Sequence, residues 1–105
     1  MKIVNLVRYV DDTTLVARVR PEHRAYMDHL LDTGKLIAGG PYADDSGALF
    51  MYEVQSVDEA EAMVASDPYS QQGAIADYQL KSWTVVKADP ALLPDAGTRV
   101  GGVQA

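Results

Sequence analysis

The sequence contains no cysteine, and this absence excludes several kinds of site at once. Disulfide bonds, thiolate nucleophiles and metal centres built on thiolates all require that residue. A chain without cysteine is also compatible with a reducing compartment, and we expect a cytoplasmic protein.

Basic residues are scarce as well. There are 9 lysine and arginine residues against 15 aspartate and glutamate residues, which gives a net charge of -6 over 105 residues. Proteins that bind nucleic acids neutralise phosphates with basic patches, so this charge balance predicts no nucleic acid partner.

Long apolar runs are also missing, and we expect no helix that crosses a membrane. The apolar run at the N-terminus is broken by Asn5 and Arg8 and lacks a small-residue cleavage site, which favours a first strand over a targeting segment. His23 and His29 are six residues apart and fall on opposite faces of a helix, so they cannot share a metal ion. No phosphate-binding glycine loop is present either, and we expect neither a metal nor another cofactor.

The remaining composition, 48% hydrophobic and 23% charged, is ordinary for one soluble domain. The pattern predicts the order β-α-β-β-α-β. This is the α+β ferredoxin-like arrangement, with a four-stranded antiparallel sheet and two helices on one face. We expect residues 1–88 to form the domain and residues 89–105 a tail without a fold of its own. The predicted strands cover residues 2–10, 36–38, 48–54 and 76–86, the predicted helices run from Pro21 to Thr33 and from Ser56 to Ser66, and residues 11–19 are a predicted connection.

Both faces of the predicted strands are largely apolar. In the first strand, Ile3 and Val7 face one way, whereas Val4 and Leu6 face the other. Because two helices can cover only one face, we expect the other to pack against a second copy, in a two-fold dimer that buries at least about 1,200 Å². The alternative is that the tail folds back over this face.

Helix periodicity separates the two histidines. His23 lies in the first turn of the predicted first helix, near the middle of its apolar stripe, whereas His29 falls on the opposite side. We therefore expect His23 to be buried and His29 to be exposed. The predicted buried stripe consists of Tyr26, Met27, Leu30 and Leu31.

Asp67 follows the apolar stripe of the second helix, which is predicted from Val57, Ala60 and Val64. If the two helices pack antiparallel, Asp67 and His23 meet at one end of the helical layer. A histidine held by a carboxylate suits a general base, although such a pair also serves simply to satisfy two buried polar groups. Asp67 has a second interpretation, as the N-cap of a short helix that has Pro68 in its first turn and ends at Gly73.

Four segments stand out together, namely Arg20-Pro21-Glu22-His23, Gly39-Gly40-Pro41, Asp67-Pro68-Tyr69 and the last strand with Trp83. In this combination and order they resemble the YCII-related proteins, over residues 2–88. The resemblance implies a ferredoxin-like fold, assembly as a dimeric α+β barrel, and a site built on a histidine and an aspartate that match His23 and Asp67. It also implies small-molecule chemistry, since a characterised relative is a dehydrochlorinase that acts on a chlorinated hydroxyquinol.

Further residues are candidates for substrate binding around this pair. We expect Arg8 to hold an anionic group, Gly40 and Pro41 to allow close approach to the backbone, and Tyr69 and Trp83 to form walls for an aromatic ring. Each has a structural alternative. Arg8 can pair with an acidic residue, the glycines can mark a bulge, and Trp83 can belong to the core.

The sequence therefore predicts a cofactor-free small-molecule enzyme, lyase-like (dehydrochlorinase-like) or isomerase-like, with general acid/base chemistry on a His23–Asp67 dyad. The expected partners are a small aromatic or anionic ligand and a second copy of the chain. Two alternatives are a ligand-binding or accessory dimeric module without turnover and a purely structural dimer.

Overall fold

The described part of the chain, residues 1–91 and 93 of the computed structural model, has a ferredoxin-like α+β fold. Four strands form one antiparallel sheet in the order β2-β3-β1-β4, with every neighbouring pair antiparallel. The elements, in chain order, are β1 (Lys2–Tyr9), α1 (Thr13–Asp32), β2 (Leu36–Pro41), β3 (Gly47–Glu53), α2 (Val57–Ser66), α3 (Pro68–Gln71) and β4 (Ile75–Ser82).

The first helix is longer than the sequence predicted. It begins at Thr13, in the segment predicted to be a connection, and Pro21 lies inside it. Asp12 caps it, since Asp12 Oδ1 accepts from the backbone N–H of Leu15 at 3.1 Å. A proline inside a helix costs about 3 kcal/mol, whereas full burial of one valine contributes about 1.5–3 kcal/mol. The buried Val16 and Val19 therefore offset the cost of Pro21.

The helix stripes are partly as predicted. Met27 and Leu30 are buried, but Leu31 is 49% exposed. In α2, Ala60 and Val64 are buried as expected, whereas Val57 is 46% exposed. Val57 points in nearly the same direction around the helix axis as Val64, but it lies in the first turn of α2. The prediction gave the correct face of the helix and was wrong in extending its buried part to the first turn. A buried Met63 completes the stripe in α2.

The two faces of the sheet differ in burial. The face under the helices carries the core, which includes Ile3, Val7 and Phe50. On the outer face, Val4 and Leu6 are half-buried, and Leu49 is 41% exposed. These side chains remain partly accessible in the single chain, and cover of this face by a second copy remains a prediction. The alternative cover, the tail, lies mostly outside the described residues.

The last strand is shorter than predicted. β4 ends at Ser82, and Trp83 follows it, with its backbone N–H bonded to the carbonyl oxygen of Lys2 at 2.9 Å. None of the helices within residues 1–91 is both long and apolar enough to span a bilayer.

Candidate functional site

A histidine and a carboxylate from different helices meet under the helical layer. His23 lies in the middle of α1, and Asp67 lies at the junction of α2 and α3. Nδ1 of His23 is 2.8 Å from Oδ1 and 3.0 Å from Oδ2 of Asp67. His23 is 6% exposed and Asp67 is 4% exposed, so the pair is shielded from water. His29 is exposed, and the predicted difference between the two histidines is confirmed.

The same carboxylate also caps a helix. Oδ1 of Asp67 accepts from the backbone N–H of Tyr69 at 2.9 Å, and Pro68 occupies the first turn of α3. Gly73 follows this helix with φ of 77°, a conformation that suits glycine. Asp67 thus combines the two interpretations that the sequence presented as alternatives.

The contact with Asp67 fixes the tautomer of the imidazole. Because an ionised carboxylate only accepts hydrogen bonds, Nδ1 of His23 must carry the hydrogen. None of the described residues hydrogen-bonds Nε2. In the neutral ring, Nε2 is then the acceptor, which is the form that a general base requires.

Aromatic rings hold the imidazole on its sides. Tyr69 stacks on His23, with the ring centroids 4.0 Å apart and the planes 15° from parallel. The centroid of Phe50 lies 5.4 Å from that of His23. The Tyr69 hydroxyl accepts from Nε of Arg20 at 2.9 Å, so a cation on α1 anchors the stacked ring. Tyr9 packs edge-on against Tyr69, and its burial, together with the neighbouring Tyr69, raises the pKa of Tyr9 to about 12.

A cavity of about 590 Å³ lies between α1 and β2, and His23 is part of its wall. Of the other residues predicted to form a site, Gly40, Pro41 and Tyr69 also line this cavity. Asp67 lies behind the imidazole and is not part of the wall. The remaining lining residues are Tyr9, Arg20, Arg24, Met27, Asp28, Leu31, Leu36, Ile37, Ala38, Gly39 and Phe50.

Two of the predicted binding residues lie elsewhere. Arg8 is on the outer face of the sheet, where its Nη2 is 2.6 Å from Oδ2 of Asp77, and its side chain is 61% exposed. This is the ion pair that formed the structural alternative for Arg8. Trp83 follows the end of β4 and is 43% exposed, so it belongs neither to the cavity wall nor to the buried core.

The cavity also contains charged residues that were not predicted, namely Arg20, Arg24 and Asp28. Helical spacing would have identified them in steps, because residues three and four apart share a face, and Arg24 follows Arg20 by four residues as Asp28 follows Arg24. From His23, that rule reaches Arg20 three residues earlier and Met27 four residues later. The predicted start of the helix at Pro21 placed Arg20 outside the helix and hid this relation. In the described part of the chain, no three histidine, aspartate or glutamate side chains are grouped as metal ligands.

Comparison with known proteins gives a family match and several similar solved structures. The family profile described as YCII-related domain matches residues 1–84. The 5-chloro-2-hydroxyhydroquinone dehydrochlorinase from Burkholderia phenoliruptrix AC1100, solved as a complex with 2,5-dihydroxybenzoquinone, is 26% identical with a TM-score of 0.67. That match covers 79% of this chain and 93% of the dehydrochlorinase.

The second structure is a NIPSNAP family protein from Agrobacterium tumefaciens strain C58. It is 21% identical with a TM-score of 0.46, over 77% of this chain and 90% of the other. No curated protein sequence matches this chain.

Proposed function

The chain belongs to the YCII-related domain family, and we propose that it is a cofactor-free, lyase-like enzyme in which His23 is the general base. The observation that carries this proposal is the buried His23–Asp67 pair, which holds the imidazole in the wall of a cavity, with no hydrogen bond to Nε2 from any described residue. The similar dehydrochlorinase, which was solved with a small cyclic dione in complex, supports a lyase-like reaction on a small ring compound.

In the proposed reaction, Nε2 of His23 accepts a proton from a carbon or hydroxyl group of the substrate. The electron pair left by this proton forms a new double bond, and a leaving group such as chloride departs with its own bonding electrons. In an isomerisation, the proton returns instead to another atom of the same molecule. Either course makes His23 transiently an imidazolium and requires no electron transfer.

The surroundings of His23 favour this charged intermediate. Asp67 is its counter-ion at 2.8 Å. The face of Tyr69, 4.0 Å away, adds a cation–π contribution of about 0.5–2 kcal/mol. Both contacts exist before a substrate binds, so the site needs little rearrangement when the proton moves.

The test is a substrate screen followed by two matched variants. The purified protein is assayed against chlorinated hydroquinols, other hydroxylated aromatics, lactones and enols. For any substrate that is turned over, we expect His23→Gln to lower kcat by roughly 10²–10⁴-fold, because the amide cannot accept the proton. His29→Gln, on the exposed side of the same helix, is the control and should retain wild-type activity. A folded His23→Gln protein with near wild-type turnover would refute the proposal.

The second candidate function is a ligand-binding module without turnover. The capping role of Asp67 favours it, because a carboxylate that stabilises α3 has a structural reason to be there. Saturable binding of screen compounds without any product, detected by calorimetry and mass spectrometry, would support this candidate over the first.

A further inference from the structure

The charges in the cavity wall differ from those of the chain as a whole. The chain has 15 acidic and 9 basic residues. Among the described residues that line the cavity, Arg20 and Arg24 stand against one carboxylate, that of Asp28. A concave site with a local excess of positive charge raises the local concentration of anions, even when the protein is negative overall.

The two arginines are not equivalent. Arg20 is already engaged, since its Nε donates to the Tyr69 hydroxyl and its Nη2 lies 3.5 Å from Asp45. Arg24 is exposed and, within residues 1–91 and 93, makes no hydrogen bond or ion pair, even with Asp28 one turn further along α1. Its guanidinium therefore retains all five N–H donors for a ligand, and that geometry matches a carboxylate or a similar oxygen anion.

The other end of the cavity is apolar. Because only residues 33–35 connect α1 to β2, the two elements run in opposite directions, and Leu31 and Leu36 line the cavity near this connection. Leu31 follows Arg24 by seven residues, which places it about 10 Å further along the helix axis. Its exposure of 49% has a reason here, since an apolar side chain at the rim of a cavity is available to a ligand.

We infer that Arg24 is the specificity-determining residue of this cavity and that it selects small organic anions. The negatively charged oxygen group binds the Arg24 guanidinium, and the apolar part of the molecule lies along Met27 and Leu31. Since Arg24 and His23 line the same cavity, a head group held by Arg24 places the ligand in the cavity that also contains the proposed base. The inference rests on the proposed function, because it names the substrate class of the same cavity.

The test compares a charged and a neutral probe of nearly the same shape. Benzoate and benzamide are titrated into the full-length protein, with binding measured by calorimetry and by ligand NMR. Hydrogen bonds to charged groups are the stronger ones, so we expect benzoate to bind about ten-fold more tightly than benzamide. Arg24→Gln, which keeps most of the side-chain size, should reduce this preference to about two-fold or less.

Arg18→Gln is the matched control. Arg18 is an exposed arginine on the same helix that does not line the cavity, so its loss should leave the preference for benzoate unchanged. The inference is overturned if the unchanged protein binds benzoate and benzamide equally, or if Arg24→Gln keeps the preference for benzoate. It is also overturned if Arg18→Gln reduces that preference as much as Arg24→Gln does. No saturable binding of benzoate up to roughly 10 mM would overturn it as well.

The His23→Gln variant separates this inference from the proposed function. It leaves Arg24 in place and should retain the preference for benzoate. If it retains turnover as well, the general-base proposal fails and the anion site stands. If it loses turnover but the unchanged protein shows no preference for benzoate, the anion site fails and the general-base proposal stands.

Discussion

Asp67 links two helices and a short third one through a single side chain. Its Oδ1 caps α3 by accepting from Tyr69 N and also faces Nδ1 of His23. A carboxylate has about four lone-pair sites, so the two roles do not compete. Asp67 therefore orients the imidazole of His23 and also positions Tyr69, whose ring stacks on that imidazole.

Substitutions of Asp67 should separate the two roles. Asparagine caps helices about as well as aspartate, whereas alanine loses a cap worth about 1 kcal/mol and leaves the buried His23 Nδ1–H unsatisfied, at about 1–3 kcal/mol. We therefore expect Asp67→Ala to lower the free energy of unfolding by about 2–4 kcal/mol and Asp67→Asn by about 1 kcal/mol or less. On any substrate found, Asp67→Asn should still lower kcat, because it no longer stabilises the imidazolium.

Urea denaturation followed by circular dichroism measures the first effect, and steady-state kinetics the second. If Asp67→Asn is as destabilising as Asp67→Ala, the charge of Asp67 is required for folding and the separation of roles is wrong.

Among the elements, β2 forms the wall opposite α1, and its two glycines face opposite sides of the sheet. Gly39 pairs with Phe50 and Gly40 with Leu49. A Cβ atom on Gly39 would lie 2.4 Å from Cδ1 of Phe50, whereas one on Gly40 would have no neighbour within 4 Å. Gly39 is therefore required by the core next to His23, and Gly40 is not required by the packing of this chain.

The two alanine variants form a matched pair. Gly39→Ala must displace Phe50, and overpacking of this kind costs about 1–3 kcal/mol of stability. Gly40→Ala should be neutral or stabilise by about 0.4–1 kcal/mol, because it restricts the unfolded chain without a clash. Thermal unfolding of both variants checks this. Equal melting temperatures would contradict the packing argument.

The element order and the sheet topology were predictable from the sequence, because strand alternation and the Ser56 cap are local signals. That cap is present, with Ser56 Oγ accepting from Glu59 N at 3.1 Å. The start of α1 was not predictable in the same way. Local rules stop a helix before Pro21, and only the burial of Val16 and Val19 against the sheet outweighs them.

The wrong predicted start of α1 also explains why Arg20 was not predicted as a residue of the site. The meeting of His23 and Asp67 was predicted from helix periodicity, on the condition that the two helices pack antiparallel. Arg20 became visible as a cavity residue only when α1 was known to be continuous, and Arg24 follows Arg20 by four residues on the same face. Arg8 was misplaced for a different reason, since a strand alternates its side chains and Arg8 lies on the face opposite His23.

At the scale of the assembly, the outer face of the sheet is the feature that a single chain leaves unexplained. Met51 is half-buried and Leu49 is 41% exposed, next to a second, mainly apolar cavity of about 430 Å³ formed with β2. Gly40 lies on this face, where a side chain would meet no atom of its own chain. The open space beside Gly40 continues this exposed apolar surface, which fits a second copy packed on it.

We predict that the protein is a homodimer through this face, burying at least about 1,200 Å² in total. Leu49→Lys should give a folded monomer. Burial of an unpaired ammonium group in the interface opposes association. Leu49 is 41% exposed in the single chain, so its replacement should not disturb the core. Ala65→Lys adds the same charge to an exposed position on α2 and should remain dimeric. Light scattering after gel filtration at micromolar concentration measures all three masses. A monomeric mass for the unchanged protein contradicts the prediction, and a dimeric Leu49→Lys variant places the interface elsewhere.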